Sequence, residues 1–180
     1  MSRQSLSLAA LLLGQPTKPR VFVSYHHEND QAWYDRFSQL FHSSYDVVTD
    51  RSLERAIDSD ATDYQQRRIR EENISGSSIT VVLCGTETWK RRWVDWEIDM
   101  TLNKEHALLG VVLPTQPCNV QNRYYWPDRL FENIQSGFAH WTYWNENPAN
   151  VRAAIDMARA KARSPAAIRN SRPRMERSRS

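Results

Sequence analysis

Only two of the 180 residues are cysteine: Cys84 inside an apolar run and Cys118 in a proline-flanked loop. So placed, they supply neither a disulfide framework nor metal-ligand spacing, and they fit a reducing, cytoplasmic setting. Glycine is scarce as well, with five in the chain. None falls into the Gly-rich spacing of a Walker or Rossmann phosphate cradle, and HExxH, paired CxxC and GxSxG are also missing. No permanently bound cofactor and no metal is therefore expected. Long apolar runs are lacking too, so no bilayer crossing and no membrane partner are expected. The leading MSRQSLSLAALLLGQP has an apolar patch at residues 8–13, preceded only by Arg3 and followed by no small-residue cleavage site. It reads as an arm over residues 1–18 rather than a secretion signal.

Charge is unevenly held. The formal net charge is +3, but Lys161, Arg163, Arg169, Arg172, Arg174, Arg177 and Arg179 face only Glu176 in the last stretch, which leaves the rest slightly acidic. This distribution argues against a nucleic-acid groove in the folded part and confines any polyanion contact to the tail. With 40% hydrophobic and 11% aromatic residues the chain is globular, and its length suits one domain. That domain is expected over residues 19–163. The Arg, Ser and Pro mixture at 164–180 lacks apolar periodicity and reads as a disordered tail.

RVFVSYHH reads as a buried first strand, and residues 30–43 as a helix with Trp33, Phe37, Leu40 and Phe41 on one face. YDVVTD is a short second strand, residues 50–60 are polar and irregular, and TDYQQRRIREEN is an exposed helix closed near Gly76. SSITVVLCG and HALLGVVLP are near-continuous apolar strands on either side of a helix over residues 86–106. After a loop at 115–128, RLFENIQSGF is a short helix, AHWTYW an edge strand and 148–162 a closing helix. The alternation implies an α/β fold, a parallel sheet of about five strands with helices on both faces.

In open parallel sheets, ligands collect beyond the carboxyl ends of the strands, where loops converge and helix N-termini point their N–H groups. That rule selects Ser24, Tyr25, His26, His27 and Glu28 after the first strand, Thr49, Asp50 and Arg51 after the second, and Gly85, Thr86 and Glu87 after the third. The tryptophan-rich WKRRWVDWEIDM begins beside them. At about 100° per residue, Val94, Ile98 and Leu102 form an aliphatic stripe for the sheet, whereas Trp89, Trp93, Trp96 and Met100 face away and need other cover. Asp95, one turn from Arg91 and Arg92, reads as half of a surface ion pair, and Asp99 as solvated. Glu97 has Trp93, Val94, Met100 and Thr101 as helical neighbours, with no base among them. A carboxylate so placed is expected to have a raised pKa and to suit acid/base or electrostatic work, although most helical glutamates are simply exposed.

RVFVSYH, ITVVLCGTETWKRRWVDWEI and LLGVVLP together resemble the TIR-like domain of bacterial Thoeris defence proteins, over about residues 18–114. The WVxxEI core, Trp93, Val94, Glu97 and Ile98, is similar to the helix that bears the catalytic glutamate of NAD-cleaving TIR domains. The resemblance therefore implies a flavodoxin-like, doubly wound sheet, NAD as substrate and Glu97 as catalytic carboxylate. Nicotinamide is a good leaving group, and the ribose left behind passes through an oxocarbenium-like state that a carboxylate on its hydroxyls would stabilise. Attack by water gives ADP-ribose; attack by an internal or other acceptor gives a cyclic or conjugated signalling nucleotide.

As partners, the resemblance implies a phage-derived trigger, an effector reached through the nucleotide product, and self-association. It puts Phe22, Ser24, Tyr25 and His26 near the substrate, with Asp50 and Trp93 completing the binding set. Each has a plainer reading: Phe22 as core, Ser24 as a local backbone partner, His26 as an exposed loop residue, Asp50 as a turn starter. The chain carries DRSLERAIDSD where signalling TIR domains have a Pro-Gly loop, a departure that bears on adaptor-like assembly and on the product. Two rivals stand beside this reading. One is a non-catalytic TIR-like scaffold assembling through the Trp face and the Arg tail. The other is a response-regulator relative, weakened because His26 and His27 rather than paired acids follow the first strand.

Overall fold

The structure is a computed structural model that describes residues 18–49 and 60–179, with side chains in the helix after residue 60 described at 67, 68 and 70–75. The arm through residue 17, Asp50, Arg51 and the irregular stretch to residue 59 lie outside the described residues.

The two apolar runs form β3 (Ile79–Cys84) and β4 (Ala107–Val112), each buried at every position, as strands covered on both faces must be. β1 (Arg20–Ser24) pairs in parallel with β3 and with the short β2 (Asp46–Val48), and β4 pairs in parallel with β5 (His140–Tyr143) at the edge. The order β2-β1-β3-β4-β5 is that of a flavodoxin-like sheet, whose direction of winding switches between β1 and β3.

Side-chain alternation gives the sheet two cores. Val21, Val23, Ile79, Val81, Leu83 and Leu109 pack with α1 (His27–Phe41) and α5 (Pro148–Lys161). On the other face Val82, Cys84 and Leu108 receive Val94, Ile98 and Leu102 of α3 (Arg92–Asn103) and Leu130 of α4 (Asp128–Gln135). The aliphatic stripe expected of the tryptophan-rich helix thus docks on the sheet. α2 (Asp60–Ser75) packs beside α3, and it is not wholly exposed: Arg70 and Ile74 are both fully buried.

The helix expected over residues 86–106 is two pieces, a 3₁₀ turn at Thr88–Lys90 and then α3, with Arg91 extended between them. Thr88 causes the break. Its hydroxyl accepts from the Gly85 N–H at 2.8 Å and faces Asp30 Oδ2 at 3.0 Å and the Leu83 carbonyl at 3.2 Å, which draws the turn down onto the strand end. Gly85 is required there, since a Cβ would lie 2.0 Å from Asp30 Oδ1. α1 begins earlier than expected, at His27, because the His26 carbonyl accepts from Asp30 N at 2.8 Å.

The stretch beyond Ser164, expected to be disordered, lies instead along α3 and α4. Asn133 and Arg169 exchange two bonds, Asn133 Nδ2 to Arg169 O at 2.8 Å and Arg169 N to Asn133 Oδ1 at 2.9 Å. Arg172 then bonds Glu132, and Arg174 bonds Asp99. Charge pairing, which apolar periodicity does not register, orders this segment.

Candidate active site

Phe22 and Ser24 project from the sheet face that α3 covers, because they pair in register with Thr80 and Val82 and alternate with Val21 and Val23. Two threonines tie that face to the helix. Thr80 and Thr101 hydroxyls lie 2.6 Å apart, and Thr101 Oγ1 donates to the Glu97 carbonyl at 2.7 Å. From Thr101 back to Glu97 the helix climbs about 6 Å, nearly the same as the ~6.6 Å from Thr80 to Val82 along the strand. Glu97 therefore stands level with Val82 and its neighbour Ser24, near the carboxyl end of the sheet, and Trp93 stands one turn further out.

Glu97 is only 5% exposed, and across the helix interface its Oε1 meets Arg70 Nε at 3.3 Å. The absence of a basic neighbour within its own helix is made good by α2. The Arg70 guanidinium also sits 3.9 Å from the centre of the Trp93 ring, with Arg92 at 4.6 Å and Arg67 at 6.0 Å. One carboxylate, one indole and three guanidinium groups thus gather on the outward turns of α3.

The β1 end supplies further polar atoms. Ser24 and His26 are both buried, and neither Ser24 Oγ nor His26 Nδ1 has a hydrogen-bond partner among the described residues. Burial, and then the charge of Arg91, hold the His26 pKa below its usual value, so the ring is neutral at pH 7. Glu87 pairs with Arg91 and Lys90, so Arg91 is committed there and not to Asp95. Tyr25 turns to the opposite core, where it stacks on Tyr34 at 4.8 Å and donates from its hydroxyl to Gln31 at 2.7 Å. The structure thus brings Phe22, Ser24, Trp93 and Glu97 to one side of the sheet, His26 to the rim, and Tyr25 to the other side.

Asp95 and Asp99, read as surface residues, are also buried. Arg129, fully enclosed, donates to Asp95 from Nε at 3.0 Å and from Nη2 at 3.3 Å, and its Nη1 lies 3.5 Å from Asp99. Two residues with a claim on the site escaped sequence reasoning. Arg70 carried one faint signal, its i,i+4 spacing from Ile74 on the inward stripe of a polar helix. Asp30 carried none: fully buried, it has a pKa raised to about 6 by burial, partly countered by the bond to Thr88. Burial pushes the Cys84 thiol up as well, which excludes it as a nucleophile at neutral pH. Among the described residues no group of three or more His, Cys, Asp or Glu could hold a metal ion.

A family model described as the TIR-like domain of Thoeris protein ThsB matches residues 22–117. The chain belongs to this family. The match takes in β1 from Phe22 onward, Arg70, the tryptophan-rich segment and Glu97, and stops before α4, β5, α5 and the arginine segment. A curated relative from Bacillus cereus (strain MSX-D12), named "Putative cyclic ADP-D-ribose synthase ThsB1", is 24% identical over 101 residues, 51% of this chain and 50% of the relative. The TIR-like chain thus spans about half the length of that relative. Among solved structures, the TIR domains of the activated Roq1 resistosome that recognises the effector XopQ align with TM-score 0.41 and 16% identity, over 84% of this chain and 86% of that one. No helix among the described residues of this TIR-like chain is long and apolar enough to cross a membrane.

Proposed function

We propose that this TIR-like domain cleaves the nicotinamide–ribose bond of NAD and releases an ADP-ribose-derived signalling nucleotide, cyclic or conjugated, in bacterial antiphage defence. NAD is substrate rather than a resident cofactor, and the reaction runs in the cytoplasm. The observation that carries the reading is the placement of Glu97: a buried carboxylate on the α3 face of the sheet, level with Ser24 and one turn inside Trp93. Membership of the ThsB TIR-like family and the printed name of the curated relative support it.

In this reading Glu97 bonds the ribose hydroxyls and stabilises the oxocarbenium-like cation as nicotinamide departs with the bonding electron pair. Arg70 compensates the buried carboxylate until the cationic ribose arrives. Trp93, its ring flanked by Arg70 and Arg92, holds guanidinium groups where they can meet a phosphate, Ser24 Oγ and neutral His26 offer hydrogen bonds to ribose or phosphate, and Phe22 closes the apolar floor. Asp50, which lies outside the described residues, stays in the proposed binding set, and Tyr25 acts from the α1 side through its stacking on Tyr34. A phage-derived trigger, an effector reached through the nucleotide and self-association belong to the same proposal.

The test is nucleotide mass spectrometry on cells carrying the wild type, Glu97→Gln or Glu97→Ala and exposed to phage. NAD loss and ADP-ribose-type products are expected from the wild type alone. Equal production by both variants, each shown to be folded, would remove Glu97 from the mechanism. A scaffold without catalysis is less well supported, since the surfaces it needs are engaged within the chain: Arg174 and Arg179 lie over Trp96 and Trp89, at 5.8 and 5.9 Å.

A further inference from the structure

The C-terminal segment runs antiparallel to α3 along its whole length. Asn170 Nδ2 donates to Asp99 Oδ1 and to Asn103 Oδ1, both at 2.9 Å, at the far end of the helix. Arg174 Nε follows on Asp99 Oδ2 at 2.5 Å, and Met175 N donates to Asp95 Oδ2 at 2.8 Å. At the near end Arg92 N donates to Ser178 Oγ at 3.3 Å, and Arg179 N donates to the Lys90 carbonyl at 2.9 Å.

The near end matters most. α3 begins at Arg92 after Arg91, whose side chain makes no capping bond, so the first turn lacks the usual local acceptor. Ser178 provides it from 86 residues away. Under the strap, the buried Arg129 also leans on it, with Nη1 donating to Asn170 Oδ1 at 2.6 Å and Nη2 to the Pro173 carbonyl at 3.1 Å. The anchoring groups are of two kinds. Asp95 and Asp99 are about 5–6% exposed and are poorly screened, whereas the Arg172, Arg174 and Arg179 side chains are 38–49% exposed and open to salt.

We propose that residues 168–179 form a charge-held strap that caps α3 from outside and positions the helix bearing Glu97. The strap touches the Asp95–Asp99 side of α3, not the side where Glu97 meets Arg70. It therefore braces the helix without covering the candidate site, and its release lowers turnover rather than unmasking it. This consequence rests on the proposed function; the mechanical claim does not.

Amide hydrogen exchange separates the two. Exchange at Asp95–Ile98 is compared in the full chain, in Ser178→Ala/Arg179→Ala, and in a chain ending after Ser164, at low and at 1 M salt. We expect at least tenfold faster exchange at these amides in both variants and an intermediate rise for the full chain at high salt, with β3 and β4 unchanged. Should the short chain fail to fold, the double variant and the salt series still decide. Unchanged exchange across α3 in the double variant and in salt would overturn the strap. Where NAD turnover is measurable, strap variants lower kcat and leave KM in place. If exchange rises while no form of the chain consumes NAD in phage-exposed cells, the strap stands and the enzymatic reading falls.

Discussion

α3 has two charged sides, and they are built differently. On one, Asp95 and Asp99 share Arg129, Arg174, Asn170 and the Met175 N–H, so that each buried carboxylate meets several donors. On the other, Glu97 meets Arg70 at 3.3 Å, and that guanidinium lies over an indole. The first is a network of donors drawn from α4 and the C-terminal segment, which is how buried charge is made tolerable. The second offers a carboxylate beside a flat ring at the end of the sheet where ligands collect. Burial of charge alone therefore does not mark a site in this protein; what sets Glu97 apart from Asp95 and Asp99 is its place level with Ser24 and beside Trp93, on the side of α3 that the C-terminal segment leaves alone.

Removing the hub should produce the largest effect. Arg129→Ala takes the shared guanidinium from two buried carboxylates and is expected to cost about 3–5 kcal/mol in a denaturant melt. Arg70→Ala withdraws a guanidinium from one, so a loss nearer ~3 kcal/mol is expected, and equal losses would erase the distinction between the two sides. Asp30 gives a pH test away from both. Its folded pKa of about 6 lies above the unfolded value, so the folded state holds the proton more tightly and the contribution of Asp30 to stability declines as pH rises from about 4 to 6. Asp30→Asn should flatten that part of the stability–pH curve and raise stability at pH 7 by no more than about 3 kcal/mol. An unaltered slope would show that another group sets it. The smallest change is expected for Arg172→Ala, whose partners Asp128 and Glu132 are partly exposed: about 0.2–1 kcal/mol, vanishing at high salt.

The sheet and its helices were largely legible in the amino-acid order. The runs at Ile79–Cys84 and Ala107–Val112 are apolar at nearly every position because both faces are covered, and Val94, Ile98 and Leu102 recur at helical spacing because one stripe meets the sheet. The break at Arg91 was hidden, since it depends on Thr88 reaching Asp30, 58 residues away. The environments of Asp95, Asp99 and Glu97 were misread for a common reason: helical neighbours at three and four residues show only what shares the helix. Their actual partners, Arg129, Arg174 and Arg70, arrive from other elements.

Two properties thus followed from amino-acid order alone: the parallel α/β architecture and the candidacy of Glu97 through the tryptophan-rich motif. Both rest on local pattern, the period of burial along a strand or helix and the spacing of a short motif, which survives without knowledge of the fold. Which charges are buried, what neutralises them and where the arginine segment lies were decided by the tertiary structure. Ion pairs between helices depend on how α2, α3, α4 and the C-terminal segment are brought together, and a guanidinium selects its carboxylate by proximity in space rather than by separation along the chain.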